Sequence, residues 1–146
     1  MALNCHYLSE FCMKKINLVI SILVYCLLFI TPSLADWDWL SENMFGDTYS
    51  VDFDRIKKQD GYVYFWRLDD YLKQTETGDW SAIIYIQADC NLFRHKLLNG
   101  SFYKKPKGEG TGDILSPKNP EWIHPTHNSA SDTILKKVCE HAKKIN

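Results

Sequence analysis

Two cysteines, Cys90 and Cys139, constrain this chain more than any other feature, because each stands at the inward position of a segment with a legible period. From Trp80 to Cys90, one parity carries Ala82, Ile84, Ile86, Ala88 and Cys90, and the other carries Ile83, Tyr85, Gln87 and Asp89. A period of two predicts a strand with Cys90 on its small, apolar face. Near the C-terminus, Ile134, Leu135, Val138, Cys139 and Ala142 recur at helical spacing, with Lys136, Lys137, Glu140, Lys143 and Lys144 on the opposite side. Cys139 therefore lies on the apolar stripe of an amphipathic helix. Ser129 followed by Asp132 resembles a capping box, and the closing lysines suit the negative end of the helix dipole. One bridge, Cys90 to Cys139, would pin this helix to the sheet; closing a loop of about fifty residues contributes on the order of 3 to 4 kcal/mol in the chain-entropy description.

A bridge of this kind belongs to an oxidising compartment. The layout of residues 13–35 supplies the route: Lys14 and Lys15 precede an apolar run from Ile16 to Ile30, and Thr31, Pro32, Ser33, Leu34 and Ala35 follow. This is the order of a secretory signal peptide, with Pro32 ending the helix and small residues at Ser33 and Ala35 for the peptidase, so cleavage is expected before Asp36. The apolar run falls short of the roughly twenty residues a spanning helix needs, which argues against an uncleaved anchor. Residues 1–12 lack this logic and carry Glu10, so they read either as an extended N-terminus or as residues upstream of a true start at Met13. No cysteine stands immediately after the cut, and neither a lipid anchor nor a transmembrane anchor is expected on the mature chain. Removal of this leader also removes Cys5, Cys12 and Cys26, leaving only the pair above.

Residues 36–146 are then one small domain with 15 basic and 17 acidic side chains, a balance that argues against nucleic acid as partner. Tyr49, Val51 and Phe53 alternate with Ser50, Asp52 and Asp54 in a strand ending near Ile56. Gln59, Asp60 and Gly61 read as a turn into a strand over Tyr62 to Leu68. Asn91 turns the Trp80 strand into one over Leu92 to Leu98. Asn99 and Gly100 carry the residue types of a hairpin into Ser101 to Tyr103. Asp113 to Leu115 predict a short last strand, and Pro117, Pro120 and Pro125 a loop to the helix. No helix-length apolar pattern separates the strands, so the expected fold is α+β: an antiparallel meander with the C-terminal helix packed on one face and tethered by the disulfide.

The ordered residues Tyr49-Ser-Val-Asp-Phe-Asp-Arg-Ile56, Phe65-Trp-Arg-Leu-Asp-Asp-Tyr-Leu72, Asp89-Cys90, Arg94, Gly110, Trp122, Ser129 and Val138-Cys139 resemble the surface-adhesin protein E family of Gram-negative bacteria. The resemblance spans nearly the whole of residues 36–146. It implies a small antiparallel sheet with a disulfide-tethered C-terminal helix, and an adhesin that binds host extracellular-matrix and serum proteins such as vitronectin, laminin and plasminogen. The chain departs from the family pattern at His127-Asn128-Ser129, where a glycine would precede the serine, and no ligand-binding segment of the family maps onto it residue by residue.

Sites for chemistry are sparse. His124 and His127, near Asp113 and Glu121, are separated by Pro125 and find no second ligand pair. Gly108-Glu-Gly-Thr-Gly112 lacks the Lys-Ser or Lys-Thr of a phosphate loop and opens no helix. The inward parity of Cys90 and Cys139 favours a bridge over a thiolate nucleophile. Asp69 and Asp70 are an isolated pair at a strand end. Neither an active site nor a cofactor is expected.

Two surface features point to binding. Residues 36–90 carry 5 basic and 12 acidic side chains, and residues 91–146 carry 10 and 5. Lys104, Lys105 and Lys107 on one loop, with Lys136, Lys137, Lys143 and Lys144 on the helix, form a candidate basic surface for acidic glycans or acidic protein segments. The strand from Tyr62 to Leu68 sets Tyr62, Tyr64, Trp66 and Leu68 on one face, and Val63 and Phe65, extended by Ile83 and Tyr85, on the other. One face takes the helix, and the second takes Trp37, Trp39 and loops, a ligand, or a second subunit in a homodimer. The expectation is an exported, non-catalytic binding protein of the periplasm or outer cell surface. Its alternative is a periplasmic structural or envelope-maintenance factor.

Overall fold

The computed structural model describes residues 35–145; the expected leader and the residues before it lie outside them. Seven strands precede one helix: β1 Asp38–Glu42, β2 Thr48–Val51, β3 Lys57–Gln59, β4 Tyr62–Asp70, β5 Ser81–Asp89, β6 Arg94–Tyr103, β7 Gly112–Leu115 and α1 Ala130–Ala142, with a short 3-10 turn at Pro106–Gly108. The sheet is antiparallel throughout, in the order β1-β2-β4-β5-β6-β7. β3 shares the β2 edge of β4: β2 pairs with Arg67 to Asp70, and β3 with Tyr62 to Tyr64. Asp60 and Gly61, both at positive φ (52° and 81°), close the β3–β4 hairpin, and glycine carries the second of those values without cost.

Strand parity separates two faces. On the inner face, Val63 and Phe65 of β4 stand opposite Ala88 and Ile86 of β5. They pack with Val51, Ile84 and Ala82 against Ile134, Leu135, Val138, Cys139 and Ala142 of α1. The helix begins where Ser129 Oγ accepts the Asp132 N–H at 3.2 Å, the first half of the expected box; the Asp132 carboxylate accepts the N–H of Asn128, the residue before the cap, at 3.1 Å, because the Ser129 N–H donates to the Thr126 carbonyl instead. Cys90 and Cys139 are joined, with Cα atoms 5.7 Å apart, so the helix is held to the end of β5.

Three local expectations are corrected. Asn99 and Gly100 do not form a hairpin; they lie within β6, which runs unbroken from Arg94 to Tyr103 along β5. The nine-residue β5 offers pairing to the whole segment, and the local irregularity is a bulge, since Tyr85 pairs Asn99 while Ile86 pairs Leu97. Gly100 is buried, with Ile84 Cγ1 3.7 Å from where a Cβ would stand. Trp39, named among the residues that would cover the second face, belongs instead to the edge strand β1 and is 62% exposed. Ile83 and Tyr85 pair with Leu68 and Trp66, so they extend the outer face rather than that of Val63 and Phe65.

Candidate binding face

On the outer face, the alternation of β4 presents Tyr62, Tyr64 and Trp66 in a row, and β5 adds Tyr85 beside them. Tyr85 stacks on Trp66 at 4.6 Å between centroids and on Tyr64 at 6.1 Å. Trp122, from the segment after β7, stacks on Tyr62 at 5.6 Å; an antiparallel bridge between Ile123 and His95 holds that segment against β6. Ring pairs of this kind contribute roughly 0.5 to 1.5 kcal/mol each beyond area burial. All five rings are half-buried. The 3-10 turn seals one end of this face: Gly108 sits against Ile83 and Leu68, its N–H donating to Ser81 Oγ at 2.9 Å. Among the described residues, neither α1 nor any strand lies across the middle.

Cations lie over these rings. Arg94 and Lys96 each stand 4.6 Å from the Trp122 centroid. Arg55, from the β2–β3 connection, bridges Trp37 at 5.5 Å and Trp66 at 5.8 Å. The ring quadrupole attracts each charge. Arg55 is paired with Asp52 (2.5 Å) and Arg94 with Asp89 (3.2 Å), whereas Lys57, paired in register with Tyr64, and Lys96 have no ion-pair partner among the described residues. Asp89 is held below the usual carboxylate range, first by the Leu92 backbone N–H and then by Arg94. Burial pushes the Tyr85 hydroxyl up.

The lysines singled out in the sequence are divided. Lys104 Nζ is engaged by Asp79 at 2.7 Å and the Thr77 carbonyl at 2.9 Å, and Lys136 by Asp132 at 2.7 Å. Lys105 and Lys107 are exposed at the start of and within the 3-10 turn, which packs on the outer face, whereas Lys137 is exposed on the helix and Lys143 and Lys144 just past its C-terminal end, on the side of the inner face. The sheet stands between the two groups. Parity also separates Asp69 from Asp70. Asp69 forms a bidentate pair with Arg67 on the inner face (2.6 and 2.7 Å), while Asp70 accepts the Lys107 N–H at 2.6 Å.

The Arg67–Asp69 pair is the buried electrostatic feature that sequence reading missed. Arg67 lies over the Tyr49 ring at 5.4 Å, and the Tyr71 hydroxyl is pushed up to about 12 by burial and by the Asp69 charge. His95 is held below its ordinary value by burial and then by Arg67. Arg67 and His95 face a void of only about 10 Å³ under the helix, so this pair of groups stabilises or strains the core rather than meeting a ligand. Among the described residues, no group of three or more His, Cys, Asp or Glu side chains converges to hold a metal ion, and both cysteines are oxidised. Two open hollows, of about 370 Å³ beside Phe45 and Tyr71 and about 340 Å³ beside Phe102 and Ile114, lie away from the aromatic row.

Comparison with known proteins is consistent with this architecture. The model of the family described as surface-adhesin protein E matches residues 37–140. A structure of Haemophilus influenzae protein E (crystal form II) superposes with a TM-score of 0.53 at 16% identity, covering 75% of this chain and 94% of that one. Another structure of Haemophilus influenzae protein E gives 0.52 at 16%, covering 80% and 96%. Protein E from non-typeable Haemophilus influenzae gives 0.51 at 14%, covering 77% and 82%. At such identities the likeness shows the fold. No curated protein matches the chain.

Proposed function

This chain belongs to the surface-adhesin protein E family, and from that premise we propose that it is an exported, non-catalytic adhesin that binds host macromolecules through the outer face of its sheet. The observation that carries the reading is the half-buried aromatic row of Tyr62, Tyr64, Trp66, Tyr85 and Trp122, left without a covering helix and set with cations. Aromatic rings joined to arginine are the side chains that dominate binding energy at protein surfaces. Lys105 and Lys107 extend the cationic border of this face, while Lys137, Lys143 and Lys144 point to the other side and are not required. Residues 13–35 serve as the cleaved leader, and the domain acts outside the cell.

Protease shaving of intact cells expressing the native chain, with a periplasmic marker as leakage control, tests the location. Release of peptides around Lys105 and Lys107 with the marker intact is the expected result. Full protection would place the domain in the periplasm and favour an envelope role. Binding of the exported protein to immobilised extracellular-matrix proteins tests the face: Trp66→Ala with Tyr85→Ala should weaken binding about tenfold or more, while Lys137→Glu with Lys143→Glu should leave it unchanged. The reverse ranking would move the binding surface to the helix.

A further inference from the structure

We propose that the ligand of the outer face is a linear acidic glycan, a chain of sugar rings bearing sulfate or carboxylate groups. This rests on the outer face being the binding face and adds the class of molecule it takes. The shape of the site is the first support. Tyr62, Tyr64 and Trp66 are alternate residues of one strand and so mark out about 14 Å; Trp122 stacks on Tyr62 and leads across the sheet towards Arg94 and Lys96 of β6, and Arg55 joins Trp66 to Trp37 on the opposite side of β4. The site is thus an elongated strip oblique to the strands rather than a pit, and an extended chain fits it better than a globular surface.

The charge pattern is the second support. Positive groups recur along the strip: Arg94 and Lys96 at Trp122, Lys57 beside Tyr64, Arg55 between Trp66 and Trp37. The carboxylates that the central strands place on this face are already engaged, Asp89 by Arg94 and by two backbone N–H groups, and Asp70 by the Lys107 N–H. Asp54 and Asp60 lie only in the turns flanking β3. Since Asp52 balances Arg55 and Asp89 balances Arg94, the positive charge on the strip without an ion-pair partner among the described residues is that of Lys57 and Lys96. An anionic chain gains charge-assisted hydrogen bonds from the guanidinium and ammonium groups, and the flat C–H faces of sugar rings lie against the exposed parts of the aromatic rings. Arg55 lies over Trp66, and Arg94 and Lys96 lie over Trp122, so at these two rings a ligand meets charge first, which suits sulfate or carboxylate groups.

The test uses the exported, disulfide-intact protein and measures affinity by surface plasmon resonance for heparin, chemically desulfated heparin, a single-stranded DNA oligonucleotide and immobilised matrix proteins. Heparin should bind, weaken several-fold as salt is raised, and lose about tenfold or more in affinity for Lys57→Glu with Lys96→Glu. Desulfated heparin and the oligonucleotide should bind at least about tenfold more weakly. Lys57→Gln with Lys96→Gln, which removes charge without reversing it, gives the same comparison should the first variant fail to fold. Absent heparin binding, binding indifferent to both lysine variants, or an oligonucleotide affinity equal to that of heparin would overturn the glycan assignment. If matrix-protein binding still falls with Trp66→Ala and Tyr85→Ala, the face stands and only the ligand class is wrong. If neither ligand responds to the aromatic variants, the face itself is wrong.

Discussion

At the scale of single residues, buried charge divides into what holds the fold at low pH and what holds it at high pH. Asp79, Asp89 and Asp132 are all held below the ordinary carboxylate value: Asp79 by hydrogen bonds from Lys104 and Thr77, Asp89 by the Leu92 N–H and Arg94, and Asp132 by Lys136 and the Asn128 N–H. A depressed folded-state value means stability that is present above the unfolded value of 3.8 and lost as pH falls through the folded values. Chemical denaturation should therefore show a steady loss of stability below about pH 4, and Asp132→Asn should flatten part of that slope. Tyr49 and Tyr71 have the opposite sign. Their values are raised, so the stability they contribute is present below 10 and is lost as pH climbs towards about 12. Tyrosinate absorbance should lag behind that of free tyrosine until unfolding releases both rings. Between these limits, Arg67 and Asp69 neutralise one another in the core. Arg67→Met should cost about 3 to 5 kcal/mol in urea denaturation by stranding a buried carboxylate, and Asp69→Leu added to it should recover much of the loss.

At the scale of elements, the 3-10 turn and α1 hold the two faces of the sheet in different ways. Gly108 has φ of 72°, and a Cβ there would stand 2.6 Å from Ile83 Cδ1. Gly108→Ala should lower stability by about 1 to 3 kcal/mol and loosen the end of the outer face. Ser129→Ala at the helix cap should cost about 1 kcal/mol, read as a shift in the urea midpoint at constant slope. The strands of the central sheet and the helix were legible because period two and period 3.6 stand out wherever one face is buried. The face carried by Ile83 and Tyr85 was not, because register decides it: a slip of one residue reverses every side chain. Asn99-Gly100 misled for a related reason, as local turn chemistry yielded to the pairing edge of β5. β1 carries Asp38, Ser41 and Glu42 around Trp39 and Leu40 and has no alternation to read. For the binding face, the row on β4 was visible in the sequence. Trp122, Arg55 and Lys96 were not, since contacts at such separations exist only after folding.

At the scale of the whole molecule, the sheet has one face covered by the helix and, among the described residues, the other without such cover, and the disulfide keeps that division in place. Reduction, or Cys139→Ala, should lower stability by about 3 to 4 kcal/mol in the chain-entropy description without moving the outer face, so binding measured below the melting range should persist. The bridge also has a mechanical consequence. Under tension applied between the termini, Ala35 leads the load directly into the edge strand β1. Tension would peel β1, β2 and β4 away in turn, but the segment from Cys90 to Cys139, a sequence separation of 49, forms a closed covalent ring. At about 3.4 Å per extended residue, that ring withholds roughly 165 Å of contour length. Arg94, Lys96 and Trp122 lie inside the ring, and Tyr62, Tyr64 and Trp66 outside it. Under load, the grip would thus fail from the β4 side first, while the β6 half of the grip remains anchored on a part of the chain that pulling cannot unravel.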